Sequence, residues 1–377
     1  MFSTVIRSII LICLLGLTTL PTQAQDLAVL SQTDVYTSGT DGYAIYRIPT
    51  MIQTTSGTLL AFAEGRKHSG SDTGQIDTVL RRSHDAGATW GPLELVRTDG
   101  DHTCGNPVPV IDKRTGRIVL VTTWNRGDDH EKDIMAGTSK DTRRVFVTHS
   151  DDDGRTWSTH KDITDQVKKP HWRWYATGPC HGIQLDSGRL VIPANYSDHT
   201  HEDDGVHPYS AHVIFSDDGG DTWQMGGSPG PATNESTVVA LNDGTLMLNM
   251  RSYHDLNRRA VSWSHDDGAT WNGVYLHPQL IEPVCQASIL RLSNGHLVFS
   301  NPASTAREKL TVRLSTDSGA TWTSGTLLHE EFSAYSDLVE LPDGSVGCLY
   351  ERDSPDEKRY GRITFARLGT NASSAAP

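Results

Sequence analysis

Apolar positions in this chain come in short runs, each opened by a glycine-containing turn, and no helical period of useful length appears beyond the first residues. The turn-and-run unit recurs six times: Ser56-Gly57 before TLLAFAE, Thr115-Gly116 before RIVLVTTW, Ser187-Gly188 before RLVIPAN, Asp243-Gly244 before TLMLNM, Asn294-Gly295 before HLVFS, and Asp343-Gly344 before SVGCLYE. Glycine turns between β-rich runs are the strongest short-range hairpin signal. Between consecutive units stands a second repeat, an octapeptide of the form S-x-D-x-G-x-T-W, starting at Ser83, Ser150, Ser216, Ser264 and Ser315. Its Ser and Asp side chains suit bonds to nearby amides, its Gly a positive φ, and its Trp an apolar plug against the hairpin. A calcium loop is the competing reading, but the twelve-residue ligand spacing and the closing Glu are missing.

Two hairpins per unit predict a four-stranded antiparallel sheet. Six such sheets around an axis make an all-β, six-bladed β-propeller. The last unit lacks the octapeptide, so its blade is expected to close with a strand borrowed from the N-terminal region, near Ala28 to Tyr36. The propeller is expected to fill residues 25–368, with a disordered Ala/Ser tail over 369–377.

Composition then narrows the class. Of 377 residues, 36% are hydrophobic, which excludes collagen-like, disulfide-scaffold and fully disordered chains. The net charge is −13, so a nucleic-acid surface is not expected, and any anionic ligand needs a local arginine cluster. Arg7, the apolar run Ile9 to Leu17 and the small residue Ala24 read as a signal peptide over 1–24, too short to span a membrane. Its loss removes one positive charge and leaves −14. Secretion or a periplasmic location follows as an expectation, with no transmembrane segment. The cysteines beyond it, Cys104, Cys180, Cys285 and Cys348, show no metal-ligand spacing and are expected to be buried thiols. Asn195-Tyr-Ser and Asn371-Ala-Ser are glycosylation acceptors if the source glycosylates proteins.

Loops at one rim of a propeller converge on the axis, so strand-end residues distant in sequence meet there. Tyr46-Arg47-Ile48-Pro49, Glu64-Gly65-Arg66, Asn249-Met250-Arg251 and the segment from Asn301-Pro302 to Arg307 place arginines at such ends. Tyr-Arg-Ile-Pro combined with the five octapeptide boxes resembles the exo-α-sialidases (neuraminidases) of the bacterial and animal type, from about Tyr43 to Glu351. The resemblance implies that Arg47, Arg251 and Arg307 form a triad for the substrate carboxylate. It further implies Asp72 as general acid/base, Tyr335 as nucleophile activated by Glu235, and Arg66 and Glu351 as supporting residues, with Glu351 orienting Arg47.

The residue types make chemical sense. Guanidinium forks bind a carboxylate with planar, bidentate geometry. A carboxylate nucleophile would be repelled by a substrate that carries its own carboxylate, whereas a tyrosine is neutral but needs a base. Retention of anomeric configuration, no cofactor and no metal are the expectations. Sialylated glycans are the expected partners, and the state expected is a monomer or weak oligomer.

Alternatives remain at this stage. Asp77 competes with Asp72, Tyr350 with Tyr335, and Glu282 with Glu235. Trp172, Trp174 and Tyr175 either stack on sugar or cover a blade edge. Cys180 stands where family members commonly have glycine, so the N-acyl and glycerol pocket is expected to differ. The His199 to His207 segment reads as a polar surface loop rather than a zinc site. A trans-sialidase, an intramolecular-transfer sialidase and a non-catalytic glycan-binding propeller are the alternative functions.

Overall fold

The computed structural model describes residues 26–369 except 357. The leader and residues 370–377 lie outside that range, as does the acceptor Asn371. Strands dominate, and they group into six antiparallel blades. The first blade runs Ile45–Gln53, Leu59–Arg66, Ile76–Ser83 and Glu94–Arg97 from axis to rim, and the second runs Thr103–Asp112, Arg117–Asn125, Arg144–Ser150 and Lys161–Asp162. The third has a broken inner strand, Tyr175–Thr177 and Ile183–Gln184, before Leu190–Ser197 and Tyr209–Ser216. Thr233–Ala240, Leu246–Ser252, Arg258–Ser264 and Tyr275–Ile281 build the fourth. Ser288–Arg291, Leu297–Pro302 and Glu308–Ser315 build the fifth with the start of the long strand Thr326–Glu340. The remainder of that strand opens the sixth.

The sixth blade closes as the sequence predicted. Ala28–Thr37 pairs antiparallel with Arg362–Gly369, Ala28 lying opposite Gly369. Gly369, expected to open the tail, is therefore the last residue of a strand. The inner strands pack in order around the axis, and the ring is sealed where the Asp337 carboxylate accepts bonds from Met51 N–H and the Thr50 hydroxyl, each at 2.8 Å.

Blades stack face to face, so both faces of a middle strand are buried. That is why runs such as LLAFAEGR show no in-out alternation: all eight residues are buried. The five boxes fold alike. In the first, Asp85 accepts from Thr89 N–H at 2.9 Å and from its hydroxyl at 2.6 Å, and Gly87 N–H donates to Ser83 Oγ at 2.9 Å. In the first two boxes the Trp packs across to the preceding blade, whereas Trp322 of the last box meets Phe299 of its own blade at 5.6 Å. Trp157 meets Phe62 edge-on at 5.9 Å, and Trp90 meets Phe365 of the last blade at 5.6 Å. Gly87 has φ +85°, and a Cβ there would lie 2.1 Å from Phe365. The box glycine thus serves both the turn and the close approach of neighbouring blades. Ser56 and Thr58, in the inner turn of the first blade, donate to Asp153 in the box of the second at 2.9 Å. Boxes and inner turns therefore share one end of the propeller, and Arg47, Arg66, Arg251 and Arg307 lie at the other.

Candidate active site

Side chains reach the axis at that end because the inner strands are bulged there. Register shifts fall between Arg47 and Thr50, Gly105 and Val108, Thr233 and Ser236, and Ser333 and Ser336. A bulge inserts one extra residue and re-aims the side chains beside it. Arg47, Asn106, Glu235 and Tyr335 all sit on or within these four bulges. Ile48 at φ +56° and Asn106 at φ +49° take up the local bend.

The cavity they frame holds about 390 Å³ and gathers Arg47, Arg66, Asp72, Glu235, Arg251, Arg307 and Tyr335, while Glu351 lies just behind it, buried. Glu351 Oε1 accepts from Arg47 Nε at 2.7 Å and from Ile48 N–H at 2.8 Å, while its Oε2 accepts from Tyr335 N–H at 3.1 Å. One carboxylate thus fixes the first arginine and the backbone of the tyrosine. Burial disfavours the Arg47 charge, but the Glu351 carboxylate outweighs it and holds the pKa well above the ordinary arginine value.

Tyr335 Oη donates to Glu235 Oε1, and Arg251 Nη1 donates to the other oxygen of Glu235 at 2.9 Å. Burial, reinforced by the Glu235 charge, pushes the Tyr335 phenol well above its usual pKa against the pull of Arg251 and Arg307. The phenol is neutral at rest and has a base already in contact.

Arg66 occupies a buried fork. It donates to Glu64 Oε2 at 2.7 and 3.0 Å, to the Gly70 carbonyl at 2.6 Å, and meets Asp72 Oδ1 at 2.7 Å. Asp72 projects from the exposed loop between the second and third strands of its blade. Desolvation at the cavity mouth raises its pKa, yet the Arg66 and Arg47 charges outweigh that and hold it below the usual carboxylate value.

Arg307 Nη1 donates to Tyr360 Oη at 3.0 Å, and the Tyr360 ring centroid lies 4.0 Å from the Arg47 guanidinium carbon. Five arginines line the cavity against four carboxylates, a local excess of positive charge in an acidic protein. Among the described residues there is no cluster of three or more His, Cys, Asp or Glu fit to hold a metal, and no helix long and apolar enough to cross a membrane.

The competing residues Asp77, Tyr350 and Glu282 lie outside the cavity lining. Asp77 is buried in its strand, accepting from Tyr43 Oη at 2.8 Å. Tyr350 is buried within its blade and donates to Gln32 at 3.1 Å. Glu282 is buried against Arg259 at 2.6 Å and accepts from Ser252 N–H at 2.7 Å, a structural role. Of the three aromatics around 172–175, Trp174 lines the cavity beneath Arg143, whose guanidinium carbon is 3.9 Å from its ring. Trp172 stacks on Tyr196 at 3.6 Å in the core, and Tyr175 is buried. The four cysteines are buried free thiols. Asn195 is fully buried in the cavity wall, which removes it as a glycan acceptor.

Several further cavity residues had no role assigned from the sequence. Asn106 Oδ1 accepts from Arg143 Nη2 at 2.6 Å, and burial pushes the Arg143 pKa down to about 10. Glu131 accepts from Tyr209 Oη, and burial raises its pKa despite that bond. Tyr253 stands 5.3 Å from Arg251. Glu131 lies in the strand-2 to strand-3 loop of its blade, as Asp72 does in the first, and that equivalence was a usable signal. Tyr360, inside the charged run DEKRYGR, gave none.

The family model described as a BNR repeat-like domain matches residues 57–348. An exo-alpha-sialidase of Aspergillus fumigatus is 32% identical over 342 residues, covering 83% of this chain and 80% of that protein. A sialidase of Bacteroides fragilis is 32% identical over 339 residues, again 83% of this chain, which spans 61% of that longer relative. Among solved structures, a Hadza microbial sialidase superposes with a TM-score of 0.79 at 33% identity, covering 89% of this chain and 68% of that one.

Proposed function

The chain belongs to the sialidase family, and from that premise we propose that it is an exo-α-sialidase, hydrolysing terminal α-linked sialic acids from glycoproteins, glycolipids or oligosaccharides with retention of configuration. The observation that carries the reading is the contact of Tyr335 Oη with Glu235 inside a cavity that also presents three arginines. A glycan-binding propeller needs the arginines but has no use for a buried phenol joined to a base.

In the proposed reaction the substrate carboxylate sits against Arg47, Arg251 and Arg307. Glu235 takes the phenolic proton as Tyr335 Oη bonds to the anomeric carbon. The bond from that carbon to the glycosidic oxygen breaks, and the departing oxygen receives a proton from Asp72. Water then attacks the same carbon, giving its proton to Asp72, and the tyrosine oxygen leaves and recovers its proton from Glu235. Two inversions give net retention.

A magnitude explains the neutral nucleophile. Two unit negative charges 4 Å apart at an effective dielectric of 20 repel by about 4 kcal/mol, roughly a thousandfold in rate. A phenol avoids that penalty. Burial raises the Asp72 pKa, and it is the free charges of Arg66 and Arg47 that bring it below the usual carboxylate value. A bound substrate carboxylate offsets the Arg47 charge, and a leaving-group oxygen between Asp72 and Arg66 loosens their contact. Both changes raise the Asp72 pKa toward the value an acid needs.

Release of the leader after Ala24 and export are part of the same proposal, supported by the N-terminal pattern. N-terminal sequencing of the mature protein tests that part. For the activity, the test is turnover of a fluorogenic α-sialoside by the wild type and by Tyr335→Phe, with NMR of the product. Free sialic acid appearing first as the α-anomer, and at least about a hundredfold loss in the variant, are expected. Full activity of Tyr335→Phe contradicts the assignment, and a transferred or anhydro sugar as product contradicts hydrolysis.

A further inference from the structure

The three arginines are held in different ways. Arg47 and Arg251 have carboxylate partners, Glu351 at 2.7 Å and Glu235 at 2.9 Å. Arg307 has no ion-pair partner among the described residues, and its guanidinium is tied by Nη1 to Tyr360 Oη at 3.0 Å. The same Tyr360 ring faces the Arg47 guanidinium carbon at 4.0 Å. One aromatic residue therefore touches two of the three cations.

Tyr360 holds this place at some cost. Its φ is +57°, the left-handed region, an outlier for a bulky side chain. Ser38 Oγ donates to its carbonyl at 2.7 Å, and Phe332 packs edge-on against its ring at 4.8 Å, so the surroundings enforce the conformation. Strain of this kind persists where the structure over-determines it, and such places cluster at functional sites.

We propose that Tyr360 is a positioning residue for the substrate carboxylate, fixing the Arg307 fork with a neutral acceptor. A carboxylate in its place would orient Arg307 equally well but would cancel the charge that the substrate needs. The ring face meanwhile offers the Arg47 cation a favourable contact near a second cation. The proposal rests on the sialidase reading, because it needs an anionic substrate at the three arginines. The carboxylate is present in ground state and transition state alike, so the effect belongs mainly in KM.

The experiment is a kinetic cycle of wild type, Tyr360→Phe, Arg307→Ala and the double variant on a fluorogenic α-sialoside, with thermal melting of each. Phe keeps the ring over Arg47 and removes only the oxygen. Tyr360→Phe is expected to raise KM about ten- to a hundredfold, as for a lost hydrogen bond to a charged group, with kcat within about twofold and Tm unchanged. In the Arg307→Ala background the same change is expected to alter kcat/KM by less than about twofold, because its target is gone. An unchanged KM in Tyr360→Phe overturns the proposal. So does an equal loss in both backgrounds, or a loss that follows a fall in Tm. A wild type without turnover contradicts the sialidase reading itself, and this role falls with it.

Discussion

Tyr335 and Glu235 stand 100 residues apart in the chain, and the phenol of one donates directly to the carboxylate of the other. Arg251 holds the second Glu235 oxygen at 2.9 Å, so the base cannot turn away. The two residues come from bulges on inner strands of the fourth and sixth blades. Burial and the Glu235 charge push the phenol pKa well above its usual value, so in the proposed reaction its proton passes to Glu235 as the bond to the sugar forms.

Glu235→Gln keeps the shape and removes the base. In steady-state kinetics on a fluorogenic sialoside, kcat is expected to fall about a hundred- to ten-thousandfold, with a much smaller change in KM. A loss of less than tenfold in kcat contradicts the role of Glu235.

Arg66 and Arg47 hold the Asp72 pKa below its ordinary value. Removing a positive charge that favours the ionised form raises that pKa, so the protonated acid survives to higher pH. Arg66→Gln is therefore expected to move the alkaline limb of kcat/KM upward on a natural sialylglycan, whose poor leaving group depends on the acid. A limb that stays in place or moves down argues against Asp72 as the proton donor.

Asp337 ties four blades at the axis, accepting from Thr50, Met51 and Ser288 and pairing with His181 Nδ1, each at 2.8 Å. Burial works against the His181 charge, but Asp337 outweighs it and the net pKa is raised. A raised folded-state pKa gives stabilisation that is complete below the unfolded value of about 6.5 and is lost as pH rises through the folded value. Melting temperatures are expected to show wild type more stable than His181→Gln at pH 6, with the gap shrinking by pH 9. A gap that widens with pH contradicts this. Asp337→Ala is expected to cost about 3–5 kcal/mol in denaturant unfolding, the range for breaking a buried pair.

Much of the architecture was legible because a propeller writes its period into its turns. Six glycine turns and five boxes fixed the blade count, and the missing sixth box pointed to the strand at Ala28–Thr37. Trp90 and Trp157 were misplaced because hairpin chemistry is local, whereas their partners Phe365 and Phe62 belong to the neighbouring blade. The residues that meet in the cavity were legible through short motifs carried by a family resemblance. Arg143 and Tyr360 were not, since each enters the cavity through a loop or a left-handed backbone that no local period records. The acidic balance also resolved in space, with the box carboxylates at the end opposite Arg47, Arg251 and Arg307, and some of them paired with other arginines such as Arg117 and Arg189.

The central claim is that Tyr335 forms a covalent bond to the sugar, and trapping that bond tests it most directly. A sialosyl fluoride bearing a second fluorine at C3 slows both steps while keeping a leaving group that departs readily, so the first product accumulates. Intact and peptide mass spectrometry of the treated wild type is predicted to show one added fluorosialosyl group on the peptide that carries Tyr335, absent in Tyr335→Phe. An active enzyme that shows no adduct while the reagent is consumed, or an adduct carried by Asp72 or Glu235 instead, would contradict the account.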